Sequence, residues 1–174
     1  DRNATQFAEH ARAAGASDTP LAKLALIGEE ERRQILEGWN QTNVDFDRAD
    51  TVRSLFEARV AVGPDETAAV FEGEALTYRE LDERAAQVAN HLAGLGIGAD
   101  SLVGLHLTRS LDMIVGVMGV LKAGGAYVPL DPVYPEDRIA YMIEDSGATV
   151  VLTHPASEGV PTTGDATIVD MERD

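Results

Sequence analysis

From Thr51 onward, short apolar runs alternate with segments that carry helix start and stop signals, and this alternation limits the possible folds more than any other feature. Thr51 or Asp50 caps a helix bearing Val52, Leu55, Phe56 and Val60 that stops at Gly63-Pro64. "TAAVFEGEALTY" reads as a strand and turn. Thr77-Tyr-Arg-Glu80 is a capping box: the Thr77 hydroxyl takes an orphan amide while Glu80 reaches back. Behind it Leu81, Ala85, Val88, Ala89, Leu92 and Leu95 fall on one face as far as Gly96. "LVGLHL" (Leu102 to Leu107) is a continuous apolar run short enough for a buried strand.

Ser110 caps the next helix, "LDMIVGVMGVLKAGG", which is apolar nearly all round and carries Gly116 and Gly119, so it is expected to be buried with close neighbours. Gly124 or Gly125 ends it, and Lys122 sits where a cation suits the helix dipole. "AYVPL" reads as a strand, Pro135 as the first position of a helix running to Asp145, and "TVVLT" as a strand, with "TIVD" one more strand. Strand, helix, strand, helix, strand, helix, strand implies an α/β fold: a mostly parallel sheet with flanking helices and right-handed crossovers.

Residues 1–50 differ in texture. Two short helices are predicted, Thr5 to Ala14 ended by Gly15, and Glu29 to Trp39 with Ile35, Leu36 and Trp39 as its apolar stripe. "SDTPLAKLALIG" between them reads as an extended linker, and "NQTNVDFDRADT" as a boundary. Two parts are therefore expected, 1–50 and 51–174.

Charge excludes some partners. Thirty Asp and Glu against fourteen Lys and Arg leave a net charge of -16, which argues against nucleic acid and against an anionic membrane. Cysteine is absent, so disulfides and thiolate metal or redox sites are excluded. "DRNATQFAEH" has no basic start followed by an apolar core, so no signal peptide is visible and a cytoplasmic location is expected. Without secretion, Asn3-Ala-Thr5 and Asn40-Gln-Thr42 are chance glycosylation matches. The longest apolar run, Leu111 to Leu121, falls short of the ~20 residues that span a bilayer.

Candidate chemistry is sparse. "GLGIG" (Gly94 to Gly98) ends a helix instead of opening one after a strand, so it is no dinucleotide loop, and "GVMGVLKAGG" lacks the Gly-Lys-Ser/Thr of a phosphate loop. His10, His91, His106 and His154 are scattered and read as surface or satisfied core residues. Asp45, Asp47 and Asp50 lack the glycine and closing glutamate of a calcium loop and read as solvated linker. No Gly-x-Ser-x-Gly elbow exists. Ligands of open parallel sheets gather beyond the carboxyl ends of the strands, where this chain places Thr108-Arg109, Asp131 with Tyr134, and Thr153-His154. The favoured reading is that Arg109 and Arg138 pair with carboxylates such as Asp131 or Asp112 and fix loops.

Across 76–153 the chain resembles the start of the adenylation domains of non-ribosomal peptide synthetases, in the adenylate-forming superfamily. "LTYREL" (Leu76 to Leu81) is similar to the first core motif of that family, and "LKAGGAYVPLDP" (Leu121 to Pro132) to the second. The second separates amino-acid adenylating domains from the acyl-CoA synthetases and luciferases of the superfamily. "EEERRQILEGWNQT" resembles the linker before such domains, and the first 25 or so residues the last helix of a condensation domain.

The resemblance implies a parent enzyme that joins an amino acid to AMP from ATP, with magnesium, and passes it to a phosphopantetheine thiol on a carrier domain. Its partners would be the remainder of the adenylation domain, an upstream condensation domain and a downstream carrier. It also implies that the phosphate loop, the amino-acid pocket, the ribose-binding aspartate and the catalytic lysine lie beyond the residues present. Lys122, the only lysine after Lys23, belongs to the second motif and is not that lysine. No catalytic, cofactor-binding or metal-binding residue is therefore assigned, and this segment alone is expected to be inactive. Two other readings stay open: a non-catalytic binding or docking module on the same scaffold, and an acyl-activating ligase for another carboxylic acid.

Overall fold

The computed structural model describes residues 27–45, 47–154 and 166–171, together with residues 8, 9, 12 and 15. The expected helix over 5–14 and the linker after it lie largely outside these. The chain divides into two compact units, Asp1–Asp47 and Arg48–Asp174.

In the first unit, α1 (Glu29–Arg33) has three glutamates in its first turn and two arginines in its last, which suits the helix dipole at both ends. It runs straight into a π-helical turn, Gln34–Gly38. Asn40 closes the end by donating to the carbonyl oxygens of Ile35 (2.7 Å) and Leu36 (3.2 Å). The expected helix thus changes pitch midway, and its apolar stripe is open, with Leu36 53% and Trp39 69% exposed.

In the second unit, α2 (Val52–Val62) starts at a capping box in which Thr51 and Ser54 satisfy one another's backbone amides, and it ends at Gly63. β1 (Thr67–Phe71) and β2 (Glu74–Thr77) then form an antiparallel hairpin that is a two-stranded sheet of its own. This corrects the expectation that the first strand joins the parallel sheet. Glu72 and Gly73 take φ of 49° and 90°, the pair of positive values a tight two-residue hairpin turn requires. The turn commits the ladder bonds of β1 to β2, and β2 leads directly into α3 (Tyr78–Gly94) through the Thr77–Glu80 capping box.

The remaining strands build the parallel sheet. β3 (Leu102–His106), β4 (Ala126–Pro129), β5 (Val150–Thr153) and β6 (Thr167–Asp170) lie in the order β4-β3-β5-β6, all pairs parallel. α4 (Leu111–Ala123) connects β3 to β4, and α5 (Glu136–Ser146) connects β4 to β5. Pro135 stands one residue before α5, as its N-cap, not within it. Gly124 ends α4 at φ 88°, a left-handed position that frees the chain to turn into β4.

Strand alternation distributes the core between two faces. Val103, Leu105 and Leu107 pack with Leu92 of α3 and Val120 of α4, while Val151 and Leu130 on the other face pack with Ile139 and Ile143 of α5. A third cluster of Leu76, Leu81, Leu111 and Val115 fastens the hairpin to α3 and α4. On α3, Leu81, Ala85, Ala89 and Leu92 are buried as the periodicity predicts, but Leu95 at its end is exposed. α4 is enclosed almost all round, with Ile114 its one exposed residue. No helix among the described residues is long and apolar enough to cross a membrane.

Candidate functional site: the carboxyl edge of the parallel sheet

The carboxyl ends of the four strands deliver Thr108 and Arg109 after β3, Asp131 and Pro132 after β4, Thr153 and His154 from β5, and Asp170 from β6. A cleft of about 520 Å³ opens there, between the ends of β3 and β4. Thr108, Arg109, Asp131 and Val133 line its mouth, and Leu107, Met113 and Leu130 form its apolar floor. The structure thus brings Thr108, Arg109 and Asp131 together. Tyr134, Thr153 and His154 do not line that cleft.

The ion pairs differ from those the sequence suggests. Asp112, in the first turn of α4, bonds to Arg84 of α3 and lies 3.4 Å from Nε2 of His154, so neither Arg109 nor Arg138 is its partner. Asp131 instead accepts from the Val133 amide at 3.0 Å, while the Tyr134 amide donates to its carbonyl at 2.9 Å. An aspartate at the start of a tight turn satisfies nearby amides more readily than a distant guanidinium. Arg138 stacks on the Tyr134 ring, 4.1 Å from its centroid. Arg109 has no ion pair among the described residues.

Two features escaped the sequence reading. Lys122 serves as a hub more than as a dipole cap: its Nζ is 2.9 Å from Asp82 and 3.4 Å from Glu57, and its carbonyl accepts from Arg53 at 3.0 Å. The spacings from 40 to 69 residues between these partners leave no local signal. His106 is fully buried, and neither ring nitrogen has a hydrogen-bond partner among the described residues, which corrects its reading as a satisfied core residue. Burial pushes the His106 imidazole below its ordinary value of 6.5, against a smaller pull from its own backbone and from Asp131. A lone histidine within "LVGLHL" was the available clue.

The cleft itself offers one guanidinium, one hydroxyl and a carboxylate already engaged in a turn. No group of three or more His, Asp or Glu among the described residues is placed to hold a metal ion. No glycine-rich phosphate loop is present in the sequence. These residues alone do not fit a magnesium nucleotide.

The profile of the AMP-binding enzyme family matches residues 56–173. The chain belongs to that family. A linear gramicidin synthase of Brevibacillus parabrevis is 45% identical over 158 residues, covering 90% of this chain and 3% of that protein. The FmoA3 non-ribosomal peptide synthetase, solved in its AMPPNP-bound form, superposes with a TM-score of 0.75 at 26% identity, covering 98% of this chain and 19% of that one. NpsA-ThdA of Klebsiella oxytoca, an artificially fused adenylation-PCP di-domain, shares the fold at a TM-score of 0.65 and 24% identity, over 71% of this chain and 24% of that one. This chain therefore has the fold of the N-terminal part of a peptide synthetase adenylation domain, and it spans only a small fraction of the relatives it matches. The family match includes both core motifs and all four strands of the parallel sheet.

Proposed function

We propose that this chain is the first part of an amino-acid adenylation domain in a non-ribosomal peptide synthetase. Residues 1–50 are then the end of a condensation domain and its linker, and residues 51–174 open the adenylation domain. The parent enzyme uses ATP and magnesium to convert an amino acid to an aminoacyl-AMP, which it loads on the phosphopantetheine of a carrier domain in the cytoplasm. Within it, this chain supplies the framework and none of the reacting groups.

The observation that carries the reading is the second core motif in its structural setting. "LKAGGAYVPLDP" forms the last turn of α4, the left-handed stop at Gly124, strand β4 and the Asp131 turn at the cleft. Its glycines and prolines all serve the path of the chain from a buried helix to the mouth of the cleft. The identity to the linear gramicidin synthase spans most of this chain and supports the same assignment.

The test is amino-acid-dependent exchange of pyrophosphate into ATP. A parent protein extended through the following adenylation sequence should catalyse it, whereas the chain alone should not. The chain alone should also bind MgATP more weakly than about 10 μM, or ~7 kcal/mol of affinity, in a calorimetric titration. A folded, extended protein that exchanges with no amino acid, or a chain that binds MgATP tightly, overturns the assignment.

A further inference from the structure

The cleft at the carboxyl edge and the exit from β6 share one apolar cluster. Leu105 and Leu107, at the carboxyl end of β3, line the cleft together with Met113 of α4. Met171, the residue directly after β6, packs against that same cluster. The two meet at Gly116 of α4. A Cβ there would lie 3.2 Å from Cδ1 of Leu107, 3.4 Å from Sδ of Met171 and 3.6 Å from Cδ2 of Leu105. All four strands are parallel, so β6 delivers its chain to the edge where the cleft opens. From β6 past β5 and β3 to the gap before β4 is about 12 Å across the sheet, which about four extended residues span.

The lining sets what an occupant must bring. Leu107, Met113 and Leu130 offer only apolar surface. Pro129 and Pro132 have no amide to donate, and the Asp131 carboxylate already accepts from the Val133 amide at 3.0 Å. The side-chain donors of the cleft are Arg109 and Thr108, both exposed, and Arg109 has no ion pair among the described residues. A guanidinium donates from five N–H groups and accepts nothing, so the matching group is an acceptor oxygen. Val133 at the mouth is 88% exposed, more than any other large apolar residue described. An apolar side chain flanked by backbone carbonyls meets all of these demands. A segment tethered to β6 meets them at high effective concentration.

We propose that the cleft is the docking groove for the polypeptide that follows β6 in the parent enzyme. That segment crosses the carboxyl edge, sets an apolar side chain on Leu107, Met113 and Leu130, and lays backbone carbonyls against Arg109. This rests on the proposed function, in which adenylation sequence continues beyond Asp174.

Thiol labelling tests it. The chain has no cysteine, so Val133→Cys puts a single thiol at the mouth, and Tyr141→Cys puts a reference thiol on α5, where Tyr141 is 64% exposed. Maleimide labelling of each is read by mass spectrometry of the peptide that carries it, in this chain and in a parent protein extended through the following adenylation sequence. Val133→Cys should label about tenfold more slowly, or slower still, in the extended protein, as expected when labelling needs a local opening. Tyr141→Cys should label equally in both. Adding Arg109→Met to the extended protein should restore most of the Val133→Cys rate. A photo-reactive residue in place of Val133 should cross-link to the first residues after Asp174. Equal labelling of Val133→Cys in both proteins overturns the docking, as does equal slowing of the two thiols. So does protection that Arg109→Met leaves intact, or a cross-link into another domain. Labelling does not read catalysis: protection without amino-acid-dependent exchange upholds the docking and sinks the proposed function, and exchange without protection does the reverse.

Discussion

At the scale of single residues, one missing methyl group at Gly119 sets the spacing of α3 and α4. A Cβ there would lie 2.5 Å from Cγ1 and 2.7 Å from Cβ of Val88, closer than packed carbon atoms tolerate. Gly119→Ala should therefore destabilise the chain by ~1–3 kcal/mol, measured by urea unfolding. A wild-type midpoint would show that α3 can slide away. Two glycines in an all-apolar helix made this close approach legible, but not what approaches: Gly116 meets the side chains of Leu107 and Met171, not backbone. Acid stability belongs at this scale too. His106 titrates lower folded than unfolded, so its contribution is complete above 6.5 and is lost as pH falls below it. Glu57, held by its hydrogen bond to Arg53, and Glu80, held by the Thr77 amide, are likewise lowered from 4.5, so their contributions vanish only below that value. Thermal melts from pH 8 to pH 3 should show two separate losses, and His106→Met should abolish the upper one. A single loss in the carboxylate range would contradict the buried, neutral state of His106.

Among the elements of the second unit, α2 is the helix with no buried residue. Phe56 packs partly against the cluster around Leu76 and Leu81 and against the Tyr78 ring, Arg59 lies over that ring and pairs with Glu66, and Arg53 and Glu57 reach Lys122 of α4. Lys122→Met keeps the apolar stem and removes the contacts to Asp82 and Glu57. Hydrogen bonds to charged groups contribute about 1.5–3 kcal/mol each when well formed, and the partial exposure of both carboxylates reduces that, so a loss of ~1–2 kcal/mol is expected. Hydrogen exchange should locate the loss: amides of α2 should open before those of α3. Uniform change across both helices would mean that Lys122 stabilises the fold globally. Element positions were legible in the sequence because caps are local, as with Thr51, Thr77, Ser110 and Gly124, each within a turn of what it terminates. Pairing was not legible. Whether β1 joins the sheet or folds back on β2, and whether Asp112 meets Arg84 or Arg109, depends on contacts between residues far apart in the chain, which periodicity does not encode.

For the whole molecule, the open question is what covers the edges of the parallel sheet. Among the described residues β4 and β6 are its outer strands, each paired with one neighbouring strand. Pro129 on β4 lacks an amide to offer and so blunts that edge. β6 has no proline, and beside it a small, mostly apolar hollow of about 120 Å³ is lined by Val88, Leu152, Val169 and Met171, with Gln87 and His91 of α3. The outer edge of a sheet next to a mostly apolar hollow is a template for another chain. The net charge of -16 opposes indiscriminate aggregation through mutual repulsion, so a defined association is favoured over precipitation. On the proposed function, the natural neighbour of β6 is the adenylation sequence that follows Asp174 in the parent enzyme. Supplied as a separate polypeptide, that sequence should raise the melting temperature of this chain and form a one-to-one complex with it. In its absence, sedimentation at several concentrations should show reversible self-association. Replacing Thr167, the exposed residue of β6, with lysine should weaken both, because it places a charge on that strand where a partner would pair. A concentration-independent monomer that ignores the added polypeptide would show that the β6 edge needs no partner, and would favour a self-contained binding module over the opening segment of an enzyme.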